Sequence, residues 1–194
     1  MESFARYDRE DLLAALRVLQ SGGVIIYPTD TIWGIGCDAT CEQAVERIYR
    51  IKRRKDSKSM LSLVDSAGRL QQYVTEIPQM TWQLLDMAIR PMTIVYPDVV
   101  GLAPSLLAED GSAGFRITAE PFTHALCEKL KHPIVSTSAN FSGEKSPACF
   151  RQISKELLSE VDYVVNFRRQ DNTPATPSSV VKLGPGNLVK VIRQ

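Results

Sequence analysis

Histidine is nearly absent from this chain of 194 residues: there are two, His124 and His132, beside four cysteines, Cys37, Cys41, Cys127 and Cys149. No two cysteines form a C-x-x-C pair, and two imidazoles add little, so a zinc site is not expected. The thiols read instead as free, buried side chains of a reducing compartment. The histidines, on a helix and at its exit, read as surface or satisfied groups. No serine or cysteine is set with a histidine base, and no paired acids stand out. Long apolar runs are missing too: none approaches the ~20 residues that span a bilayer. Met1–Asp8 lacks the apolar core of a signal peptide, so a cytoplasmic location is expected. Neither G-x-x-x-x-G-K-[ST] nor a G-x-G-x-x-G turn after a strand occurs; a bound nucleotide would need another device. Nor is there an excess of charge: 23 Lys and Arg against 22 Asp and Glu leave +1. That balance argues against coating nucleic acid over the whole surface, but permits a local basic groove.

What is present is an ordinary globular composition, 44% hydrophobic and 23% charged, in a length suited to one domain over residues 1–194. No repeat or linker divides it. Leu12, Leu13, Leu16 and Leu19 share a helical face that Gly22-Gly23 ends. Val24–Tyr27 reads as a buried strand and Pro28–Asp38 as a loop rich in hydroxyls and glycines. Thr40-Cys41-Glu42-Gln43 matches a capping box for a helix through Ile48 and Ile51. Strands are expected at Met60–Val64, Met92–Tyr96, Gly114–Ile117, Ile134–Thr137, Tyr163–Phe167, Ser179–Leu183 and Leu188–Ile192. Helices are expected near Ala67–Val74, Met80–Ile89, Phe122–Leu130 and Phe150–Val161. Gly101–Gly114 is expected to be a mobile loop, and Gln170–Pro177 a polar one. The irregular alternation points to a single twisted mixed α/β sheet with flanking helices.

Charge, although balanced overall, is concentrated. Five of the seven residues from Lys52 to Lys58 are cationic. A turn could aim Lys52, Arg54 and Lys58 at one anion, while Arg53 and Lys55 face elsewhere; a solvated basic turn has the same composition. The stretch Ser136-Thr137-Ser138-Ala139-Asn140-Phe141-Ser142-Gly143 ends a strand in three hydroxyls. It suits an anion-binding nest, or a turn in which Asn140 bonds its own backbone. Thr29-Asp30-Thr31 is either a polar turn or a ligand-facing edge. Arg116, inside an apolar strand, needs a partner: a protein carboxylate or a bound anion. Anion-binding groups without an activated nucleophile suit catalysis by positioning and charge stabilisation, as in adenylyl or phosphoryl transfer.

Tyr27-Pro28-Thr29-Asp30-Thr31-Ile32-Trp33-Gly34-Ile35-Gly36-Cys37-Asp38 resembles the opening motif of the YrdC-like family, the threonylcarbamoyl-adenylate synthases. Lys52–Lys58 resembles their Lys-x-Arg…Lys motif, Ser138–Gly143 their Ser-Ala-Asn-x-Ser-Gly turn, and Ser178–Val181 and Val191–Arg193 their closing strands. Four motifs in order, over about residues 10 to 193, carry the resemblance. It implies a concave basic cavity and the formation of threonylcarbamoyl-adenylate and pyrophosphate from L-threonine, bicarbonate and ATP. Mg²⁺ would be carried by the phosphates, since no carboxylate cage for it is evident. The product would serve N6-threonylcarbamoyl modification of tRNA adenosine 37, with tRNA and tRNA-modification proteins as further partners. By motif position, Thr31, Arg116, Ser136 and Ser178 would hold threonine. Lys52, Arg54, Lys58, Ser112, Ser138, Asn140, Ser146 and Arg193 would line the ATP site, Lys52 and Arg54 acting in catalysis.

The chain departs from the family pattern in places. Arg90-Pro91-Met92-Thr93 stands where Pro-Gly-Pro-Leu-Thr is frequent, Lys55 and Thr118 replace prolines, and Leu63 replaces a histidine. Two alternatives therefore stand beside the synthase: a paralogue with another substrate, and an RNA-binding module that uses the basic cavity without catalysis. Balanced charge and the lack of interleaved aromatics weigh against the second.

Overall fold

The computed structural model describes residues 7–53, 60–184 and 188–193. Its elements run α1 (Arg9–Gln20), β1 (Ile25–Tyr27), β2 (Gly34–Gly36), α2 (Glu42–Ile51), β3 (Leu61–Val64), α3 (Ala67–Leu70), α4 (Gln79–Asp86), β4 (Met92–Tyr96), β5 (Ala113–Ile117), α5 (Pro121–Leu130), β6 (Ile134–Ser138), α6 (Lys155–Ser159), β7 (Tyr163–Val164), β8 (Ser179–Leu183) and β9 (Val189–Arg193). The strands form one mixed sheet in the order β7-β1-β2-β6-β3-β5-β4-β8-β9. β1–β7, β3–β5 and β4–β8 pair in parallel, and the remaining neighbours are antiparallel.

Side-chain alternation divides the core into two layers. Ile25, Tyr27 and Leu63 face one layer, where Leu12, Leu19, Phe122 and Leu126 bring in α1 and α5. Ile26, Val64 and Val135 face the other, with Val45 and Ile48 of α2. Strands buried on both sides read as continuous apolar runs, which is why Val24–Tyr27 carries no polar residue. Helix α1 begins where Asp8 accepts from the Glu10 backbone N–H at 2.8 Å, and Gly22, at φ +77°, takes the left-handed turn after it.

Four expectations differ from the structure. The glycine-rich loop contains a strand, β2, paired on both sides. Gly36 is required there, because a Cβ would stand 2.0 Å from the Val135 carbonyl oxygen. The capping box does not form: Thr40 donates its hydroxyl to Asp38 at 2.7 Å, and Cys41 caps α2 without a side-chain bond. Phe150–Val161 is not one helix but a 3-10 turn followed by α6, started where the Ser154 hydroxyl accepts from the Leu157 N–H at 3.1 Å. Gly101–Gly114 is anchored rather than loose. Leu102, Ala103 and Leu106 are buried, and the Ala103 N–H donates to the Ala39 carbonyl at 2.9 Å. Among the described residues, no helix is long and apolar enough to cross a membrane.

Candidate functional site

A cavity of about 390 Å³ opens across the middle of the sheet. Its walls come from widely separated stretches: Thr31–Gly34, Met60 and Leu61, Thr93 and Val95, Ala113, Gly114 and Arg116, Ser136–Ser138, Ser146, Pro177, Ser178 and Val180, and Ile192 with Arg193. The described lining holds two cations, Arg116 and Arg193, and a ring of hydroxyls, but no carboxylate, histidine or cysteine. Among the described residues, no cluster of histidine, cysteine and acidic side chains is suited to a metal. Cys37 and Cys127 are buried free thiols, and burial pushes both thiols up from their ordinary range.

Arg116 is the most constrained of the polar groups. Strand β5 carries it into the interior, where its side chain is 3% exposed. Its Nη2 stands 2.8 Å from Asp30 Oδ1, close enough for an ion pair though off the line of a hydrogen bond, and donates to Thr31 Oγ1 at 3.3 Å. The carboxylate partner that a buried arginine demands is thus supplied by the polar turn after β1. That turn is held by Thr29, whose hydroxyl donates to the Ile32 carbonyl at 2.7 Å and accepts from the Thr31 N–H at 3.0 Å. Arg116 Nε is buried with no hydrogen-bond partner among the described residues.

Arg193 enters from the last strand. Its Nε donates to the Ser178 carbonyl at 2.9 Å, and its Nη2 to the Ser178 hydroxyl at 3.3 Å. Burial lowers the pKa of this guanidinium, and the neighbouring charge of Arg116 lowers it further.

The anticipated site residues fall into three groups. Thr31, Arg116, Ser136, Ser138, Ser146, Ser178 and Arg193 lie together on the cavity wall. Lys52, Ser112 and Asn140 are outside the described lining. Lys52 is buried at the end of α2, where its ammonium donates to the Ser138 and Asn140 carbonyls at 2.5 and 2.8 Å. It thereby clamps the turn that leaves β6. Ser112 donates its hydroxyl to Asp110 at 2.5 Å and accepts from Lys182 Nζ at 3.2 Å. Bonding from Lys182, then Ser112, holds the Asp110 carboxyl well below the usual carboxylate range. Asn140 uses its amide nitrogen on the Phe141 and Glu144 carbonyls at 2.8 and 2.9 Å, while its Oδ1 is buried without a partner among the described residues. Arg54 and Lys58 lie outside the described residues, as does Lys55. Arg53 does face elsewhere: it pairs with Glu156 and stacks 4.3 Å over the Phe141 ring.

Several wall residues were not foreseen. Thr93 and Val95 come from β4, Val180 and Ile192 from the closing strands, and Trp33 from the first motif. Their place on the wall gives no sequence signal, because an alternating strand looks the same whether its inner face meets core or cavity. Leu63 faces the α1–α5 layer and is fully buried.

The chain is thus an α/β protein of one mixed sheet, with a central hollow lined by hydroxyls and two arginines. Residues 17–194 match the family model described as "Telomere recombination", that of Sua5, YciO and YrdC. The chain belongs to this family. It is 31% identical to the "Threonylcarbamoyl-AMP synthase" of Pseudoalteromonas translucida (strain TAC 125) over 173 residues, 87% of this chain and 92% of that one. With the protein of the same name from Hahella chejuensis, identity is 39% over 150 residues, 77% of this chain and 82% of its relative. The fold superposes on P. abyssi Sua5 complexed with L-threonine with a TM-score of 0.81 at 24% identity, covering 92% of this chain and 52% of that one. It superposes on E. coli YciO with a TM-score of 0.82 at 24% identity, covering 96% and 90%. The chain thus spans about half the length of the Sua5 structure and most of the length of the others.

Proposed function

We propose that the chain is an L-threonylcarbamoyladenylate synthase, a nucleotidyltransferase that makes threonylcarbamoyl-AMP and pyrophosphate from L-threonine, bicarbonate and ATP. The observation that carries this reading is the convergence of Arg116, Arg193, Thr31, Ser136, Ser138 and Ser178 on one cavity from distant parts of the chain. Relatives named for that activity, matched over most of their length, point the same way.

In this reading the amino acid's carboxylate meets Arg116, with the hydroxyls of Thr31, Ser136 and Ser178 around it. Arg193 and Ser138 face the nucleotide, with Ser146 at the rim. Arg54 and Lys58 take the triphosphate, and Lys52 contributes by fixing the turn that carries Ser138 and Asn140. Ser112, braced by Asp110 and Lys182, stands at the nucleotide's side. The carbamate oxygen attacks the α-phosphorus, the bond to the bridging oxygen breaks, and pyrophosphate leaves. Positioned cations offset the charge that builds on the phosphate oxygens. Mg²⁺ would ride on the ATP phosphates, because the described lining offers no carboxylate to hold it. The product, a mixed anhydride, would pass to the enzymes that modify adenosine 37 of tRNA. In this reading the basic character of the cavity comes from Arg116 and Arg193, joined by Arg54 and Lys58, and the protein works in the cytoplasm.

The test is pyrophosphate release by the full chain with Mg²⁺, ATP, bicarbonate and L-threonine. Release that requires both threonine and bicarbonate supports the synthase; release indifferent to threonine counts against it. Exchange supported by a different amino acid alone would identify a paralogue. Tight tRNA binding without any release would indicate a binding module. Within the synthase reading, Arg54→Ala should weaken ATP binding about ten-fold while sparing threonine, and Arg116→Ala should do the reverse. Calorimetric titration with each ligand separately measures both.

A further inference from the structure

Arg168 is not on the cavity wall, yet it holds part of that wall in place. It follows β7 in the chain, and its Nη1 donates to the Thr29 carbonyl at 3.0 Å. Thr29 opens the turn that presents Asp30 and Thr31 to Arg116. The guanidinium is itself aimed. Its Nε and Nη2 donate to Asp171 Oδ2 at 3.1 and 3.0 Å, which leaves Nη1 directed at the turn. Asp171 is steadied by the Thr173 N–H, which donates to Oδ1 at 2.9 Å. The next arginine does none of this. Arg169 donates to the Val165 carbonyl of its own segment at 2.8 Å and lies over the Phe150 ring.

The backbone at Arg168 is strained. Its φ is +63°, a left-handed conformation open to glycine and costly for an arginine. Such strain lasts where the surroundings over-determine it. Here they are the Asp171 N–H, which donates to the Arg168 carbonyl at 3.1 Å, and the three side-chain bonds. A glycine would relieve the backbone but would reach neither Asp171 nor Thr29. The turn has a second pin, of another kind: the Thr123 hydroxyl on α5 donates to the Pro28 carbonyl at 2.6 Å. Thr123 is fully buried, whereas the Arg168 side chain is 32% exposed. The arginine is therefore the pin that can be removed without opening the core.

We propose that Arg168 is a positioning residue. It holds the Thr29 carbonyl so that Asp30 and Thr31 stay against Arg116 Nη2, and Arg116 presents the rest of its guanidinium to the carboxylate of the amino acid. That this ligand is L-threonine rests on the proposed function; the pinning of the turn does not.

The experiment compares the full chain with its Arg168→Gly variant by amide hydrogen exchange and by calorimetric titration. The Thr31 N–H, which donates to the Thr29 hydroxyl at 3.0 Å, reports on the turn without any ligand. Its exchange should be about ten-fold faster in Arg168→Gly. Affinity for L-threonine should fall about five-fold or more, while affinity for ATP stays within about two-fold. Loss of a positive charge alone would do the opposite, because it weakens the highly anionic ATP more than a zwitterion. The melting temperature should change little, since glycine suits the backbone there. A residue that only tied down its own segment would lower the melting temperature and leave both affinities as they were. Unchanged exchange at Thr31 overturns the proposal. So does faster exchange with unchanged threonine affinity, or an ATP loss that matches the threonine loss. If Arg168→Gly does not fold, Arg168→Asn takes its place, because asparagine also tolerates a left-handed backbone and is too short to reach Thr29. If the parent chain binds no L-threonine, the proposed function falls, and Thr31 exchange alone decides whether Arg168 pins the turn.

Discussion

The Asp30–Arg116 pair sets the energetics of single residues here. Both partners are removed from water, at 11% and 3% side-chain exposure, so each depends on the other for its charge to be tolerated. Arg116→Ala should cost about 3 to 5 kcal/mol in urea unfolding, because it strands the Asp30 carboxylate, and adding Asp30→Asn should recover part of that loss. Glu120, the N-cap of α5, behaves in the opposite sense. It accepts from the Thr123 N–H at 2.7 Å through Oε2, while Oε1 is buried without a partner among the described residues. Burial raises its pKa from the ordinary 4.5, opposed by the Thr123 bonds and by the charge of Arg168. A carboxyl whose folded pKa is raised favours the native state while protonated. That contribution is whole below the unfolded pKa and fades as pH climbs through the folded one. The melting temperature should therefore decline above about pH 4.5 by the share that Glu120 holds, and Glu120→Gln should flatten that part of the curve. Thermal melts between pH 4.5 and 7.5 for parent and variant decide the point.

At the scale of elements, the sequence was most legible where periodicity was long or burial complete. Strands β4 and β8 coincide with their expected ranges, and α1, α2, α5 and β5 lie within a residue or two of theirs. It was least legible where three residues had to be recognised as a strand. Gly34-Ile35-Gly36 carries no run of β-branched residues, and its glycines are there because neighbours approach closely. Tyr27 and the Val135 carbonyl crowd Gly36, whereas the Ser136 hydroxyl would be 3.2 Å from a Cβ at Gly34. Gly36→Ala should force β2 away from β6 and cost about 1 to 3 kcal/mol, with Gly34→Ala milder, as read by chemical denaturation. The capping box at Thr40 misled because a nearer carboxylate, Asp38, captured the hydroxyl. That carboxylate also meets His132 Nδ1 at 2.8 Å, a long-range contact that no local motif announces. The Lys52 clamp was invisible for a similar reason. A lysine in a basic run looks like a phosphate ligand, and only the folded chain shows the two carbonyls beneath it.

For the molecule as a whole, the wall of the cavity was readable only through the resemblance. Separate motifs can be seen in sequence, but their convergence depends on a strand order in which β3 lies between β6 and β5, and β4 between β5 and β8. A site assembled this way couples ligand to global stability. At about 100 times its dissociation constant, a ligand bound only by the native state should add about 2.7 kcal/mol, so L-threonine and ATP should each raise the melting temperature, and other amino acids should not. The strand order has another outcome, concerning biosynthesis. The walls need Ser178 and Arg193, and β8 and β9 leave the ribosome after every other strand. Until they have joined the sheet, the growing polypeptide has no closed hollow, and cellular threonine or nucleotide can give it no help in folding. Earlier strands must hold together by apolar burial and their own backbone pairing.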